Sequence, residues 1–183
     1  MNTRHEDAGL RGDVREAIEL SLPDDVVDLT FDPNDSYFWD VQPKLEAALA
    51  KVGSAMLLYE RDVQEERGSW SYFLYFVSTD ADRTGLAIGV SLLAPFAVIT
   101  ESAMEVDEDG VVVAPSLSTD ETPEPDPDLA PLRQQVAAIL ERRWITVLPE
   151  EEWRKPVPWL TWHGPRPVRV VDALFFEVID AGE

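Results

Sequence analysis

Residues 70–100 read WSYFLYFVSTDADRTGLAIGVSLLAPFAVIT and form the longest apolar and aromatic region of the chain. The first part, 70–77, is too short to span a bilayer and too rich in aromatic residues for a surface helix, so it predicts a β-strand. Successive side chains of a strand point to opposite faces. Here both faces are apolar, because Trp70 and Phe76 fall on one and Phe73 falls on the other. We therefore expect an interior strand of a sheet that is covered on both sides.

Strand patterns recur on both sides of residues 70–77. They predict strands at residues 55–59, 70–77, 86–93, 96–100 and 111–114. The connections between these strands are too short for a parallel crossover, which needs about a dozen residues or more. The expected arrangement is an antiparallel meander over about residues 55–114.

The two clearest helical patterns flank the meander, at about residues 40–52 and 129–143. In both, apolar residues recur every three or four positions, which predicts helices that pack one face on the sheet. Asp40 and Asp128 are expected as the N-caps of the two helices. Pro43 would then lie in the first turn, where its missing N–H does no harm.

Four further segments complete the prediction. They are a helix at residues 13–20, a short strand at 145–148, a single helical turn at 149–153 and a last strand at 168–179. The predicted fold class is α+β, with an antiparallel sheet of four to six strands (the meander at about 55–114) and packed helices at about 40–52 and 129–143.

A length of 183 residues is typical of one domain. We expect a single α+β domain over residues 1–183, with a flexible N-terminal tail at 1–8 and an acidic Pro-rich loop at 115–128. That loop holds four Pro, five acidic residues and no basic residue. It is expected to be exposed and mobile and to bury nothing.

The sequence shows no basic-then-apolar leader at its start and no apolar run long enough to cross a bilayer. It also contains no cysteine, so neither disulfides nor a thiolate site can form. We expect a soluble, cytoplasmic protein.

Charge is the most pronounced global property of the chain. It holds 36 Asp and Glu against 15 Lys and Arg, a net charge of −21. This balance disfavours binding to nucleic acid or to an anionic membrane and favours a basic protein partner. A second interpretation stays open, because acidity can also serve solubility or follow genome composition.

Catalytic motifs were sought without success. The sequence has no GxGxxG, GxxxxGK[ST], HExxH or GxSxG pattern, and His163 has no evident carboxylate partner nearby. Residues 105–110 match the first half of a calcium loop, but Ser116 stands where the bidentate Glu is needed. A hairpin turn explains Asp109-Gly110 more simply. The sequence therefore predicts no catalytic residue, no cofactor and no metal ligand.

Two regions are candidates for partner binding. Residues 101–128 carry ten carboxylates and no positive charge, and residues 144–162 hold four of the six Trp. Each has a structural alternative, since charge runs are often solvated loops and aromatics often belong to the core. A Pro-rich segment can also hold an aromatic side chain exposed, although the pattern does not tell which one. The partner-binding residues predicted from these regions are Asp107, Glu108, Asp109, Trp159 and Trp162.

Three functional hypotheses follow from different classes. The first is an inhibitor or immunity-type protein whose carboxylates stand in for phosphates and occlude a basic enzyme, and its general character resembles the α+β immunity proteins of bacterial toxin systems. The second is a partner-binding protein that resembles secretion chaperones, because residues 40–143 give a helix, a meander and a helix. The third is an enzyme that uses Asp and Glu alone. The first fits the small size, the acidity and the missing catalytic motifs best; the oligomeric state is not predicted.

Overall fold

The structure is a computed structural model that describes residues 9–21, 36–59, 72–78, 84–91, 94–106, 112–113, 117, 125–160 and 167–175. The strands are β1 (Ser54–Tyr59), β2 (Tyr72–Ser78), β3 (Thr84–Ser91), β4 (Phe96–Ala103), β5 (Glu105–Val106), β6 (Val112–Val113) and β7 (Thr146–Val147). The helices are α1 (Gly12–Ser21), α2 (Ser36–Leu49), α3 (Ala130–Glu141), α4 (Glu150–Trp153) and α5 (Val170–Phe175), and a 3-10 turn (Pro127–Leu129) precedes α3.

Five strands form one sheet in the order β1-β2-β3-β4-β7. The first four pair antiparallel, which confirms the predicted meander, but β7 pairs parallel to β4. The sheet is therefore mixed, and the prediction of a purely antiparallel sheet is wrong at this edge. The connection from β4 to β7 includes α3, so it has the length that a parallel crossover requires.

Strand β2 lies between β1 and β3, as its aromatic pattern predicted. Leu74, Tyr75, Phe76 and Val77 are all buried, with no more than 6% of any side chain exposed. Both faces of the strand are covered, which explains why it has no polar face.

Helices cover the sheet on both sides. Helices α2 and α3 pack on one face, in a layer whose members include Leu45, Leu49, Leu132, Val136, Tyr75, Ile88 and Ile99. Helices α1, α4 and α5 pack on the other face, in a layer whose members include Val14, Ile18, Trp153, Leu174, Leu74, Ala87 and Val98. We call these the α2–α3 layer and the α1–α4–α5 layer. The predicted packed helices are thus confirmed, and they belong to a three-layer arrangement.

One sequence prediction of strand pairing and two of helix capping are wrong. The strand predicted at 111–114 is present as β6, but it pairs with β5 in a separate hairpin and not with the main sheet. Helix α2 begins at Ser36, so Asp40 is not its N-cap and Pro43 lies inside the helix. Helix α3 has no side-chain cap, so Asp128 is not its N-cap; Asp126 instead caps the preceding 3-10 turn, where its Oδ1 accepts the Asp128 backbone N–H at 2.9 Å.

The strand predicted at 168–179 is also wrong, because its described part forms helix α5. All six side chains of α5 are buried, so the segment has no polar face to give it a helical period. The side chain of Asp172 accepts the Arg169 backbone N–H at 2.8 Å, which caps the first turn. Ser91 Oγ donates to the Leu174 carbonyl at 2.7 Å and fixes α5 on β3.

One residue of the Pro-rich segment enters the core. Leu117 is 7% exposed and belongs to the α1–α4–α5 layer. It packs so closely on Gly89 that a Cβ at that position would lie 2.5 Å from Leu117 Cδ1. The prediction that this segment buries nothing is therefore wrong at Leu117. Residues 114–116 and 118–124 and the predicted tail at 1–8 lie outside the described residues.

The start of the described chain is held by a buried carboxylate. Glu152 is 4% exposed, and its Oε1 accepts the Arg11 backbone N–H at 3.1 Å. Lys155 Nζ bonds both Glu152 Oε2 at 2.6 Å and the Gly9 carbonyl at 2.7 Å. A buried charge is tolerated when it is paired and hydrogen-bonded in this way, so we assign Glu152 a structural role. No helix in the described part of the chain is both long enough and apolar enough to cross a bilayer.

We predict that Phe76→Ala lowers the free energy of unfolding by about 3–5 kcal/mol, because it leaves a cavity where the side chain is 1% exposed. Urea denaturation measures the change. Thr84→Ala is the control, since Thr84 is exposed at the start of β3 and should cost less than about 0.5 kcal/mol. Equal costs for the two variants would contradict the assignment of β2 as the interior strand.

Candidate partner-binding surfaces

The main sheet ends at β1 on one side and at β7 on the other, and the β7 edge is only partly covered. Strand β7 has two residues, and its register with β4 covers Phe96 and Ala97 alone. In the part of the chain that the structure describes, no strand lies beside residues 98–103 of β4 on this edge. The chain turns into helix α4 at Glu150, so the ladder does not continue from β7.

A groove of about 490 Å³ lies along this free part of β4. Helix α3 forms one wall and helix α4 the other, and the chain that leaves β7 closes one end. The lining residues are Ile99, Thr100, Glu101, Pro125, Arg133, Gln134, Ala137, Val147, Leu148, Pro149, Glu150, Trp153 and Arg154. Because α3 and α4 belong to opposite layers, the groove lies where a further strand of the sheet would run.

The backbone of β4 presents hydrogen-bonding groups to this groove. Thr146 N–H donates to the Pro95 carbonyl and Leu148 N–H to the Ala97 carbonyl, each at 2.8 Å. Alternate residues of a strand face the same edge, so the backbone groups of Ile99 also point outward there. The side chain of Arg133 shows this directly, because its Nη1 donates to the Ile99 carbonyl at 3.0 Å.

Two ion pairs lie in the groove. Arg133 Nη2 contacts Glu101 Oε1 at 3.1 Å, and the other oxygen of Glu101 accepts the Asp126 backbone N–H at 3.0 Å. Arg154 Nε contacts Glu150 Oε1 at 2.6 Å, while its guanidinium lies 4.6 Å from the centre of the Trp153 ring. Both guanidinium groups are therefore neutralised by carboxylates of the same chain.

The surroundings of the groove carry more negative than positive charge. Six acidic residues lie in it or next to it along the chain, and they are Glu101, Asp126, Asp128, Glu150, Glu151 and Glu152. Against these stand the basic residues Arg133, Arg154 and Lys155. Subtracting the three basic charges from the six carboxylates leaves a local charge of −3, which favours a cationic occupant.

A second feature is the exposed indole of Trp144, at the end of α3. Its side chain is 86% exposed, and its backbone adopts a left-handed conformation with φ of 62°. The helix ends in a Schellman motif, in which Ile145 N–H donates to the Leu140 carbonyl at 3.1 Å and Trp144 N–H to the Glu141 carbonyl at 3.0 Å. Glycine is the usual residue at this position, because a side chain makes the left-handed region costly.

Trp144 therefore combines backbone strain with full solvent contact of a large apolar side chain. Such strain persists when the surrounding structure fixes it, and it is frequent at functional positions. The buried neighbours Leu140 and Ile145 supply that anchoring here. An exposed Trp on a fixed backbone is a suitable anchor for a protein partner.

The partner-binding residues predicted from the sequence are only partly located. Asp107, Glu108, Asp109 and Trp162 lie outside the described residues, and Trp159 is the member of the set that can be placed. Trp159 is half-buried against the α1–α4–α5 layer, and the guanidinium of Arg15 lies 5.3 Å from the centre of its ring. Its contacts thus include packing beside α1.

Sequence reasoning did not single out Trp144, although it noted the Trp-rich region and the possibility of an exposed aromatic. One signal was available. The predicted helix runs through Arg142 and Arg143, and the next residue is a Trp where a glycine would normally end the helix.

Among the residues that the structure describes, no group of three or more His, Asp or Glu side chains is placed to hold a metal ion. In comparisons with known proteins, no family model, no curated protein and no solved structure matches the chain. Function is therefore inferred from the geometry and charge of the surfaces described above.

We predict that Trp144→Gly is more stable than Trp144→Ala by about 1 kcal/mol, because only glycine removes the Cβ from the left-handed position. Trp144→Gly should also be at least as stable as the unaltered chain, since an exposed indole contributes little packing. Chemical denaturation of the three proteins measures both differences. If Trp144→Gly instead lost several kcal/mol, the indole would be part of the core and not an exposed anchor.

Proposed function

We propose that the chain is a non-enzymatic acidic binding protein of the inhibitor or immunity type, which occludes a basic partner such as a bacterial toxin. The observation that carries the proposal is the distribution of charge. Basic side chains mostly bond to other groups of the chain, whereas carboxylates are left in excess at the surface. The net charge of −21 and the engagement of the basic side chains leave carboxylates as the dominant groups offered to a partner.

Most of the described basic side chains bond to other groups of this chain. Six of them pair with a carboxylate. The pairs are Arg133–Glu101, Arg154–Glu150, Lys155–Glu152, Arg169–Asp172, Arg11–Asp13 and Arg15–Glu19. Arg143 donates to the carbonyls of Ile139 and Lys44. Among the described residues, the basic side chains are thus mostly engaged within the chain, and 36 acidic against 15 basic residues leave an excess of 21 carboxylates.

An excess of surface carboxylates supports binding to a basic protein in two ways. It attracts the partner over a distance of about 8–10 Å at physiological ionic strength, which speeds association. At contact, carboxylates can occupy the positions where a basic enzyme such as a nuclease holds phosphates, so the bound protein covers the active site. As part of this proposal, the protein acts in the cytoplasm.

Trp144 supplies the complementary apolar contact. Charge steering decays with salt, whereas burial of an aromatic side chain does not, so a stable complex needs an apolar anchor beside the carboxylates. The exposed, backbone-fixed indole of Trp144 meets that need at a low entropic cost.

The direct test is capture of the partner from a lysate of the source organism, followed by kinetic measurement with the purified pair. We expect a basic protein whose activity the chain inhibits and whose association rate falls steeply between low and physiological salt, while dissociation changes little.

Neutralising Asp107, Glu108 and Asp109 together, to Asn, Gln and Asn, should slow association in the same way without unfolding the chain. A neutral or acidic partner, or an association rate that ignores salt, would defeat the proposal.

Trp144→Ala separates the apolar contribution from the electrostatic one. We expect it to speed dissociation by about tenfold or more, equivalent to about 1.4 kcal/mol, with little change in the salt dependence of association. Surface plasmon resonance resolves the two rates. Trp159→Phe is measured beside it, because Trp159 is the other described Trp among the predicted partner-binding residues; if it affected dissociation as strongly as Trp144→Ala, Trp144 would not be the specific anchor.

A further inference from the structure

We propose that the free edge of β4 takes up an extended, basic segment of the partner, which adds to the sheet as a further strand in the groove between α3 and α4. This inference rests on the proposed function and names the contact through which the partner is held. It is carried by the backbone geometry of the edge, by the position of the two helical walls and by the local charge.

The backbone of β4 is ready to pair beyond Ala97. Residues 98–103 amount to about 20 Å of strand, and within that length the outward groups of Ile99 and Glu101 face the groove. The carbonyl of Ile99 already accepts a hydrogen bond there from Arg133, at 3.0 Å. An incoming strand would replace this side-chain donor with a backbone N–H. Uncovered strand edges are templates for such pairing, and main-chain hydrogen bonds then supply much of the affinity.

The walls of the groove fit a strand better than a flat surface would. Alternate side chains of an added strand point to opposite faces of the sheet. On one face they would meet Gln134 and Ala137 of α3, and on the other Trp153 and Arg154 of α4. The added strand would therefore be covered on both sides, as β2 is, and the groove would select its side chains in an alternating pattern.

The local charge specifies a basic segment. Six carboxylates stand against three basic groups in and beside the groove, and all three basic groups are already paired with carboxylates. Lysine or arginine side chains at the ends of an added strand could pair with Glu101 and Glu150 and so share these carboxylates. A second copy of this chain is a poorer occupant, because two molecules of charge −21 repel each other.

The test uses a synthetic peptide of about ten residues that alternates Lys with Val and Thr, the composition of a basic strand. Its binding to the full chain is measured by calorimetry, and the bound site is located by amide hydrogen exchange in NMR spectra. We expect the peptide to slow exchange of the Ile99 and Glu101 amides. A peptide in which every Lys is replaced by Glu should not bind.

Two glutamine variants on α3 provide a matched pair. Gln134 is exposed and lines the groove, whereas its neighbour Gln135 is equally exposed and does not line it. Gln134→Trp should fill the groove and weaken peptide binding by about tenfold or more, while Gln135→Trp should change it by less than about twofold. Unchanged melting temperatures would show that both variants are folded.

Each other result overturns the inference. Strand addition at this edge would be excluded if the basic peptide failed to bind or if the two variants had equal effects. It would also be excluded if the peptide bound but left the β4 amides unprotected, which is the result expected of a groove that holds only a small ligand. Capture of the natural partner with the same two variants separates this inference from the proposed function. A basic partner bound equally by both variants would refute the groove alone, whereas the lack of any basic partner would refute the proposed function.

Discussion

Burial of the sheet on both faces is the constraint on which the rest of the structure depends. The α2–α3 layer covers one face and the α1–α4–α5 layer the other, so apolar side chains of β2, β3 and β4 point into two separate interiors. A sheet covered in this way has no face left for a partner. In the described part of the chain, the two layers leave uncovered only the strand edges and the ends of helices.

The groove beside β4 and the exposed Trp144 are both consequences of how α3 ends. The chain turns through the Schellman motif at Trp144, enters β7 for two residues and leaves again at Pro149. The turn places an indole in solvent, and the short β7 leaves residues 98–103 of β4 without a strand of the described chain on the edge away from β3. One connection thus creates an apolar anchor at its start and an open strand edge at its end. For the partner proposed above, the two features offer different contacts, namely side-chain burial and backbone hydrogen bonds.

The sequence predicts the parts of this architecture that have a regular period. Strands β1 to β4 and the apolar faces of α2 and α3 were found because alternation and helical spacing remain visible in the residues. Helix α5 was missed because six consecutive buried side chains carry no period, and the capping role of Asp172 was overlooked. The parallel pairing of β7 depends on where α3 carries the chain, which no local pattern records. The exposure of Trp144 depends on a backbone angle, for which the missing glycine was the single clue.

Amide hydrogen exchange along β4 of the free protein tests the open edge most directly. The backbone groups of Val98 and Thr100 point toward β3, and those of Ile99 and Glu101 point toward the groove. The account predicts an alternation in which Ile99 and Glu101 exchange at least about a hundredfold faster than Val98 and Thr100, because their N–H groups lack a strand partner. Uniformly slow exchange over residues 98–101 would show that this edge is already paired, and it would contradict the account.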